Sequence, residues 1–172
     1  MVAGEVRMQP QVLVLDVDGV LTTGQFLYTA EGKVMKVFGP DDHDALMLLR
    51  RHLPVHAVTG DRRGLPITRC RVEHDMGLPL ELVGTTGRVE WIAGRYDLDR
   101  TIYMGDGIFD GTVFKAVGYA IATADALPQV KARAHFVTTR RGGERAVAEA
   151  CLHLLERFYG LSGDPADLLG GA

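Results

Sequence analysis

Two carboxylates follow directly on a short run of valine and leucine near the start of the chain. Asp16 and Asp18 lie in the segment VLVLDVDGVLTT, residues 12–23, with Gly19 beside them. An apolar run of this length is typical of a strand covered on both faces, so residues 12–15 are predicted to form a central strand of a parallel sheet. Open α/β sheets bind ligands at the carboxyl ends of their strands, so the two acids are candidates for catalysis and for holding a cation.

Two later strand-like runs place polar groups at the same kind of position. The run VHAVT ends in Thr59 and is followed by Gly60, whereas TIYMG is followed by Asp106, with Asp110 four residues later. Asp and Gly also end ordinary strands, so any one of these motifs alone has no necessary function. If the three strands are parallel and adjacent, however, their polar groups converge, and this favours a functional site.

Strand-like and helix-like segments alternate along almost the whole chain. This pattern predicts a Rossmann-like three-layer α/β/α sandwich around a central parallel sheet. One exception is a pair of β-prone runs split by Gly32, which predicts a β-hairpin insertion over about residues 24–38. The predicted strands are residues 12–15, 55–59, 80–83, 101–104, 119–122 and 135–138, and the predicted helices are residues 42–53, 64–77, 88–96, 110–117, 127–133 and 144–159.

The size and composition of the chain exclude several classes of protein. Its 172 residues, 47% of them hydrophobic, suit one globular domain, and a net charge of -3 disfavours nucleic acid as a partner. No segment has the roughly 20 apolar residues that a membrane span needs, and the first residues lack the apolar core of a secretory signal. Cys70 and Cys151 are far apart, so we expect a cytoplasmic protein without a structural disulfide.

The ordered motifs resemble those of the haloacid dehalogenase superfamily, which combines an Asp-x-Asp pair, a Thr or Ser, a basic residue and a late acidic motif. Within it, the chain is similar to the small, cap-less phosphatases of the 3-deoxy-D-manno-octulosonate 8-phosphate (KDO 8-phosphate) type. The resemblance extends from about Val12 to about Phe158. The matching segments are LDVDGVLTTG, YTAEGKVMKVF, VTGD, YMGDGIFD and VGYAIATADALPQVKARAHFVTTRRGGERAV.

The resemblance implies a phosphoric monoester hydrolase acting on a small phosphorylated sugar or sugar acid. Asp16 would attack phosphorus and become an aspartyl phosphate, and Asp18 would protonate the leaving oxygen and then activate water. Thr59 would donate its hydroxyl to a phosphoryl oxygen, together with the N–H of Gly60.

The resemblance also implies a Mg²⁺ site. Asp16 and Asp106 would supply carboxylate oxygens, Asp18 its backbone carbonyl and Asp110 an outer contact. Carboxylates gathered near a dianionic substrate repel one another and the substrate, so this arrangement requires a cation, and ligands that are all oxygen suit Mg²⁺.

The chain departs from the family pattern at three positions. Gly107 replaces the second acid of the usual Gly-Asp-Asp motif, and Arg88 stands where the family usually has Lys. Asp61 follows Thr-Gly in place of the frequent Arg, and a carboxylate there would repel an anionic sugar unless Arg62 or Arg63 neutralises it. Arg62 and Arg88 are therefore included among the expected phosphate or substrate ligands.

Residues 1–160 are expected to form a single domain and residues 161–172 a flexible tail. In the resembled phosphatases the hairpin builds a central barrel in a tetramer, and the tail can reach an adjacent active site. A homotetramer is therefore expected, and an edge hairpin with a frayed end is the alternative.

Two other functions stay open at this point. The three departures are also compatible with a weak or inactive relative that binds or scaffolds, like domains of this type attached to sugar-nucleotide synthetases. A phosphoacceptor receiver domain uses similar residues, but it carries its phosphorylated Asp on a later strand.

Overall fold

The computed structural model describes residues 8–162 of the chain. Six parallel strands form one sheet, and two further strands pair separately as an antiparallel hairpin. The predicted three-layer α/β/α sandwich is confirmed. The strands are β1 (Val12–Asp16), β2 (Thr22–Thr29), β3 (Gly32–Phe38), β4 (Val55–Thr59), β5 (Leu80–Leu82), β6 (Thr101–Gly105), β7 (Tyr119–Ala122) and β8 (Phe136–Val137). The order of strands in the parallel sheet is β5-β4-β1-β6-β7-β8.

The central strand, β1, is buried along its whole length. Side chains alternate across a strand, so Leu13 and Leu15 enter one hydrophobic core whereas Val12 and Val14 enter the other. A strand that is apolar on both faces can be covered only by helices on both sides, which explains the layered architecture.

Helices cover both faces of the sheet. One layer contains α1 (Asp42–Leu49), α2 (Leu65–Arg69, continued by a π-helical segment to Asp75) and the long α6 (Ala146–Tyr159). The opposite layer contains α3 (Arg88–Ala93), α4 (Asp110–Phe114) and α5 (Pro128–Lys131).

Several helices are shorter than the sequence pattern predicted. For example, α1 ends at Leu49 instead of residue 53, and the chain turns through hydrogen bonds from the N–H groups of His52 and Leu53 to the Leu49 carbonyl. The apolar pattern continues because Leu53 still enters the core from the turn. Hydrophobic spacing therefore marked the buried residues correctly but extended the helix too far.

The predicted hairpin is present as β2 and β3, joined at Ala30 and Glu31. Its two strands expose large apolar side chains. These are Phe26, Leu27, Tyr28, Val34, Met35 and Val37. Lys36 of β3, in contrast, has a fully buried side chain. The hairpin thus combines exposed apolar side chains with a buried lysine.

Within residues 8–162, no helix is both long and apolar enough to cross a membrane. Cys70 is exposed, Cys151 is buried, and neither forms a disulfide. The part of the expected tail from residue 163 onward lies outside the described residues.

Candidate active site

The carboxyl ends of three neighbouring strands meet at one cavity. Strand β1 lies between β4 and β6, with Asp16 opposite Val58 and Leu15 opposite Met104. The cavity has a volume of about 520 Å³. Asp16, Asp18 and Asp106 all line it, so the structure brings together the three acids that the sequence predicted to converge.

Arg88 holds the Asp16 carboxylate through two hydrogen bonds. Its Nη1 donates to Asp16 Oδ2 at 2.7 Å and its Nη2 to Asp16 Oδ1 at 2.9 Å. The Val17 N–H also donates to Asp16 Oδ1, at 2.8 Å. Arg88 is only 2% exposed, so this is a buried bidentate ion pair.

Asp110 fastens the loop after β6. Its Oδ2 accepts hydrogen bonds from the N–H groups of Asp106, at 3.0 Å, and Gly107, at 2.8 Å. Its Oδ1 accepts from Arg88 Nη1 at 2.8 Å and from the Tyr103 hydroxyl at 2.7 Å. Both oxygens are therefore engaged with the protein, which suits an outer contact better than direct ligation of a metal.

The donor set fits a divalent cation. Asp16, Asp106 and Asp110 each offer an oxygen, and these oxygens lie within 4.8 Å of one another. When all three carboxylates are ionised, they outnumber the Arg88 guanidinium and leave an excess of two negative charges. Gly107 removes one acid from the family motif, but the remaining set still fits Mg²⁺.

The charge excess also perturbs the two carboxylates expected to bind metal. Burial raises the pKa of Asp16 to about 7, although the charge of Arg88 acts in the opposite direction. Burial, followed by repulsion from Asp16 and Asp110, raises the pKa of Asp106 to about 8. Each carboxylate therefore binds a proton more tightly in the folded chain than in the unfolded chain.

Stabilisation of the protein by Mg²⁺ is expected to increase with pH. Because the pKa values of Asp16 and Asp106 are raised, the metal-free fold loses stability as pH rises from about 4 toward 8. Below these pKa values Mg²⁺ must displace protons, which weakens apparent affinity by about tenfold per pH unit for each proton. Melting curves with and without Mg²⁺ at pH 6 and pH 8.5 measure this, and an equal shift at both values would contradict it.

Asp18 is held by two elements that are distant in sequence. Its Oδ2 accepts a hydrogen bond from the Thr59 hydroxyl at 3.1 Å, and its Oδ1 forms an ion pair with Lys36 Nζ at 2.7 Å. Thr59 Oγ1 in turn accepts from the Asp61 N–H at 3.1 Å. In this structure, therefore, the Thr59 hydroxyl donates to Asp18, whereas the sequence interpretation gave it to a phosphoryl oxygen.

Asp61 is neutralised by lysines of the hairpin and not by the adjacent arginines. Lys33 Nζ forms a close ion pair with Asp61 Oδ2, and Lys36 Nζ lies 2.9 Å from the same oxygen. Burial acts to raise the pKa of Asp61, but the two lysines outweigh it and lower this pKa to about 2. Arg62 and Arg63 are exposed and do not line the cavity, whereas Gly60 does.

Lys33, Lys36 and Tyr103 were not identified from the sequence. Tyr103 was counted only as part of an apolar run, and its hydroxyl was the available signal, because a buried hydroxyl needs a partner. The lysines gave a weaker signal, since two cations between apolar residues of a hairpin are compatible with an ordinary exposed strand.

Gly19 brings the turn after β1 against Asp106. It has a left-handed backbone, with φ of +86°, and a Cβ atom there would lie 2.1 Å from Asp106 Oδ2. Only glycine therefore permits this approach between the first acidic motif and the last.

Replacing Gly19 with Ala is expected to cost about 1–2 kcal/mol of stability from backbone strain and to reduce the melting shift produced by Mg²⁺. The second effect follows because the Asp106 carboxylate must move away. Gly160→Ala is the matched control, because Gly160 has φ of +68° but no atom within 4 Å of a Cβ. An equal response of both variants to Mg²⁺ would show that the contact with Asp106 is unimportant.

The chain matches known proteins at the levels of family, sequence and structure. Residues 92–150 match the family model of haloacid dehalogenase-like hydrolases. The 3-deoxy-D-manno-octulosonate 8-phosphate phosphatase KdsC of Salmonella typhi is 33% identical over 150 residues, which cover 84% of this chain and 79% of that protein.

Solved structures agree with the sequence matches. The cobalt-bound deoxy-D-mannose-octulosonate 8-phosphate phosphatase of Haemophilus influenzae superposes with a TM-score of 0.79 at 28% identity, covering 94% of this chain and 96% of that one. The Moraxella catarrhalis 3-deoxy-D-manno-octulosonate 8-phosphate phosphatase, in complex with magnesium, phosphate and KDO, gives 0.74 at 25% identity, covering 89% and 91%.

The fold and the strand-end acids define a hydrolase of the haloacid dehalogenase superfamily. In this chain the acids lie at the carboxyl ends of the first strand, β1, and its neighbour β6, and they line one cavity. Within this superfamily the chain belongs to the KDO 8-phosphate phosphatase-like family, and it is a phosphoric monoester hydrolase.

Proposed function

We propose that the protein is a Mg²⁺-dependent phosphatase that hydrolyses a small phosphorylated sugar or sugar acid through an aspartyl phosphate. The observation that carries this proposal is the position of Asp16 and Asp18. The two acids line one cavity, with Arg88 on the first and Thr59 and Lys36 on the second.

Asp16 is the proposed nucleophile. One of its carboxylate oxygens attacks phosphorus, and the bond from phosphorus to the ester oxygen breaks. In the structure Arg88 donates to both oxygens of Asp16, so an entering phosphoryl group competes for the same guanidinium. Arg88 can bind phosphate oxygens bidentately, as it does this carboxylate.

Asp18 is the proposed general acid and base. It gives its proton to the leaving oxygen as the ester bond breaks, and it then takes a proton from water. That water attacks phosphorus, the bond to Asp16 breaks, and inorganic phosphate leaves with Asp16 restored. Thr59 and Lys36 fix the Asp18 carboxylate for both transfers.

Asp16 and Asp106 are the proposed carboxylate ligands of Mg²⁺, with the Asp18 backbone carbonyl as a further ligand and Asp110 as an outer contact. When bound, Mg²⁺ supplies positive charge against the phosphoryl oxygens and the acids. The excess negative charge of Asp16, Asp106 and Asp110 over Arg88 supports this assignment.

Gly60 and Arg62 remain the other proposed substrate ligands. Gly60 lines the cavity, so its N–H is available for a phosphoryl oxygen. Arg62 lies outside the lining, so its role would require movement toward the substrate.

Assembly as a homotetramer and a cytoplasmic location complete the proposal. The exposed apolar side chains of the hairpin support the assembly, because such a surface is unfavourable in water unless another chain covers it. The free Cys70 and Cys151 support a reducing compartment.

A catalytically weak or inactive binding protein is the second candidate. The observation that favours it is the buried pair of Asp16 and Arg88, which occupies both oxygens of the nucleophile. Gly107, which replaces an acid of the family motif, also favours a weak or inactive protein.

Phosphate release from a panel of sugar and sugar-acid phosphates, with Mg²⁺ or with a chelator, separates the two candidates. Metal-dependent release from at least one sugar phosphate supports the phosphatase. Binding of these esters without release on any substrate would favour the second candidate. Trapping of labelled phosphate on the protein during turnover tests for the aspartyl phosphate.

A further inference from the structure

The wall of the cavity beside Asp18 carries an ion pair built on Asp61, the residue that stands where the family frequently has Arg. Lys33 and Asp61 both line the cavity, and their side chains are only 4% and 15% exposed. The Lys33 ammonium also lies 3.5 Å from the centre of the Phe26 ring, an arrangement that stabilises the cation there. Lys33 is therefore fixed by two partners from its own chain.

Lys33, the cation that this wall presents to the cavity, is already neutralised by Asp61. Lys36 does not line the cavity, and it lies between Asp61 and Asp18. Among the described residues that line the cavity, Lys33 and Arg88 are the cations, and both are paired with carboxylates. A carboxylate on a bound substrate would therefore meet cations that are already neutralised, and it would lose its hydration without compensation.

The remaining lining suits an uncharged polyol. Thr85 and Thr86 offer exposed hydroxyls from the turn before α3. Ile108 and Phe109 are exposed at the same cavity and offer apolar surface for the carbon chain. Hydroxyl groups and C–H surfaces are what a neutral sugar presents, so these residues complement it without any charge.

We propose that the Lys33–Asp61 pair makes the enzyme select phosphate esters whose leaving group is a neutral polyol over esters whose leaving group carries a carboxylate. This inference rests on the proposed phosphatase function and narrows its substrate class. Asp61 is the specificity-determining charge, because it cancels the lysine that would otherwise attract an anionic leaving group.

Two substrates that differ in one group test the proposal. D-glucitol 6-phosphate and 6-phospho-D-gluconate have the same open carbon chain, but the second ends in a carboxylate. The ratio of their kcat/KM values should favour glucitol 6-phosphate in the wild type. Asp61→Asn should shift this ratio toward the gluconate by about tenfold, because it frees Lys33. Lys33→Gln should shift it in the opposite direction.

Two matched controls separate local charge from net charge. Asp75→Asn and Lys115→Gln make the same charge changes at exposed positions outside the cavity, and they should leave the ratio unchanged. A ratio also cancels any loss of folded protein, so a merely structural role for Asp61 would not move it.

Calorimetry measures the binding of both esters to Asp16→Asn and to the double variant that also carries Asp61→Asn. The ratio of the two dissociation constants reports the selectivity without turnover. This arm therefore tests selectivity even if the proposed phosphatase activity fails. A preference of the wild type for the gluconate, or no shift on Asp61→Asn in either measurement, would overturn the proposal.

Discussion

Asp16→Asn is expected to reduce phosphate release by at least about a thousandfold, on every substrate that the wild type hydrolyses. An amide oxygen is a much weaker nucleophile than a carboxylate, so the phosphoryl group has no acceptor. The amide keeps the shape of the carboxylate and removes a charge that Asp106 and Asp110 repel. The protein should therefore remain folded, and kcat measured with saturating Mg²⁺ gives the result.

Asp18→Asn provides the comparison that separates nucleophile from acid. Loss of a general acid costs about 10²–10⁴-fold, but the cost falls when the leaving group needs no proton. In a single turnover, Asp18→Asn should thus release the leaving group faster from 4-nitrophenyl phosphate than from a sugar phosphate, although the later hydrolysis of the aspartyl phosphate is slowed for both. Asp16→Asn should be equally inactive on both. Asp44→Asn, at an exposed position of α1, is the control. Residual turnover of Asp16→Asn above one part in a hundred would exclude Asp16 as the nucleophile.

Arg88→Met is expected to destabilise the protein by about 3–5 kcal/mol at pH 8.5, since it leaves buried carboxylates without their cation. Asp16 and Asp110 both lose a hydrogen-bonded partner, and the Tyr103 hydroxyl loses a donor. The loss should be smaller at pH 6, because protonation of a carboxylate relieves the repulsion. Denaturant unfolding without metal at the two pH values measures both effects.

Arg88→Lys should recover part of this stability, because it restores a charge although not the bidentate geometry. It also restores the family's residue, so activity should persist in this variant. Arg95→Met serves as the control, since Arg95 is exposed just after the same helix. Its guanidinium donates to the Trp91 carbonyl at 3.5 Å and lies over the Trp91 ring. If Arg88→Met were no less stable than Arg95→Met at pH 8.5, the buried pair would contribute nothing to the fold.

The parts of the structure that depend on local pattern were predictable from the sequence. Strand β1 was recognisable because a short, uninterrupted apolar run is typical of a strand in a sheet covered on both faces. Asp16, Asp18 and Asp106 followed from that strand, because carboxyl ends of adjacent parallel strands share one edge. The order of strands placed β1 between β4 and β6, as the convergence of these acids requires.

The pairing of charges was not predictable, because it depends on contacts between distant segments. Lys33 and Lys36 reach Asp61 through a hairpin whose register shifts twice, so alternation along β3 does not indicate which side chains point toward the site. Arg88 was placed near the substrate by resemblance, but its burial against Asp16 and Asp110 is a property of the packed core. Local patterns therefore located the acids and left their counter-ions unidentified.

The residues proposed for catalysis and a residue proposed for specificity lie on different parts of the fold. The strand ends that hold Asp16 and Asp106 belong to the sheet, whereas Lys33 belongs to an insertion that contributes no strand to that sheet. Under the specificity proposed above, a mutation of Lys33 changes which ester is accepted, although Asp16 and Asp106 are unchanged. Proteins that share this sheet can therefore evolve different substrate preferences through substitutions in the hairpin.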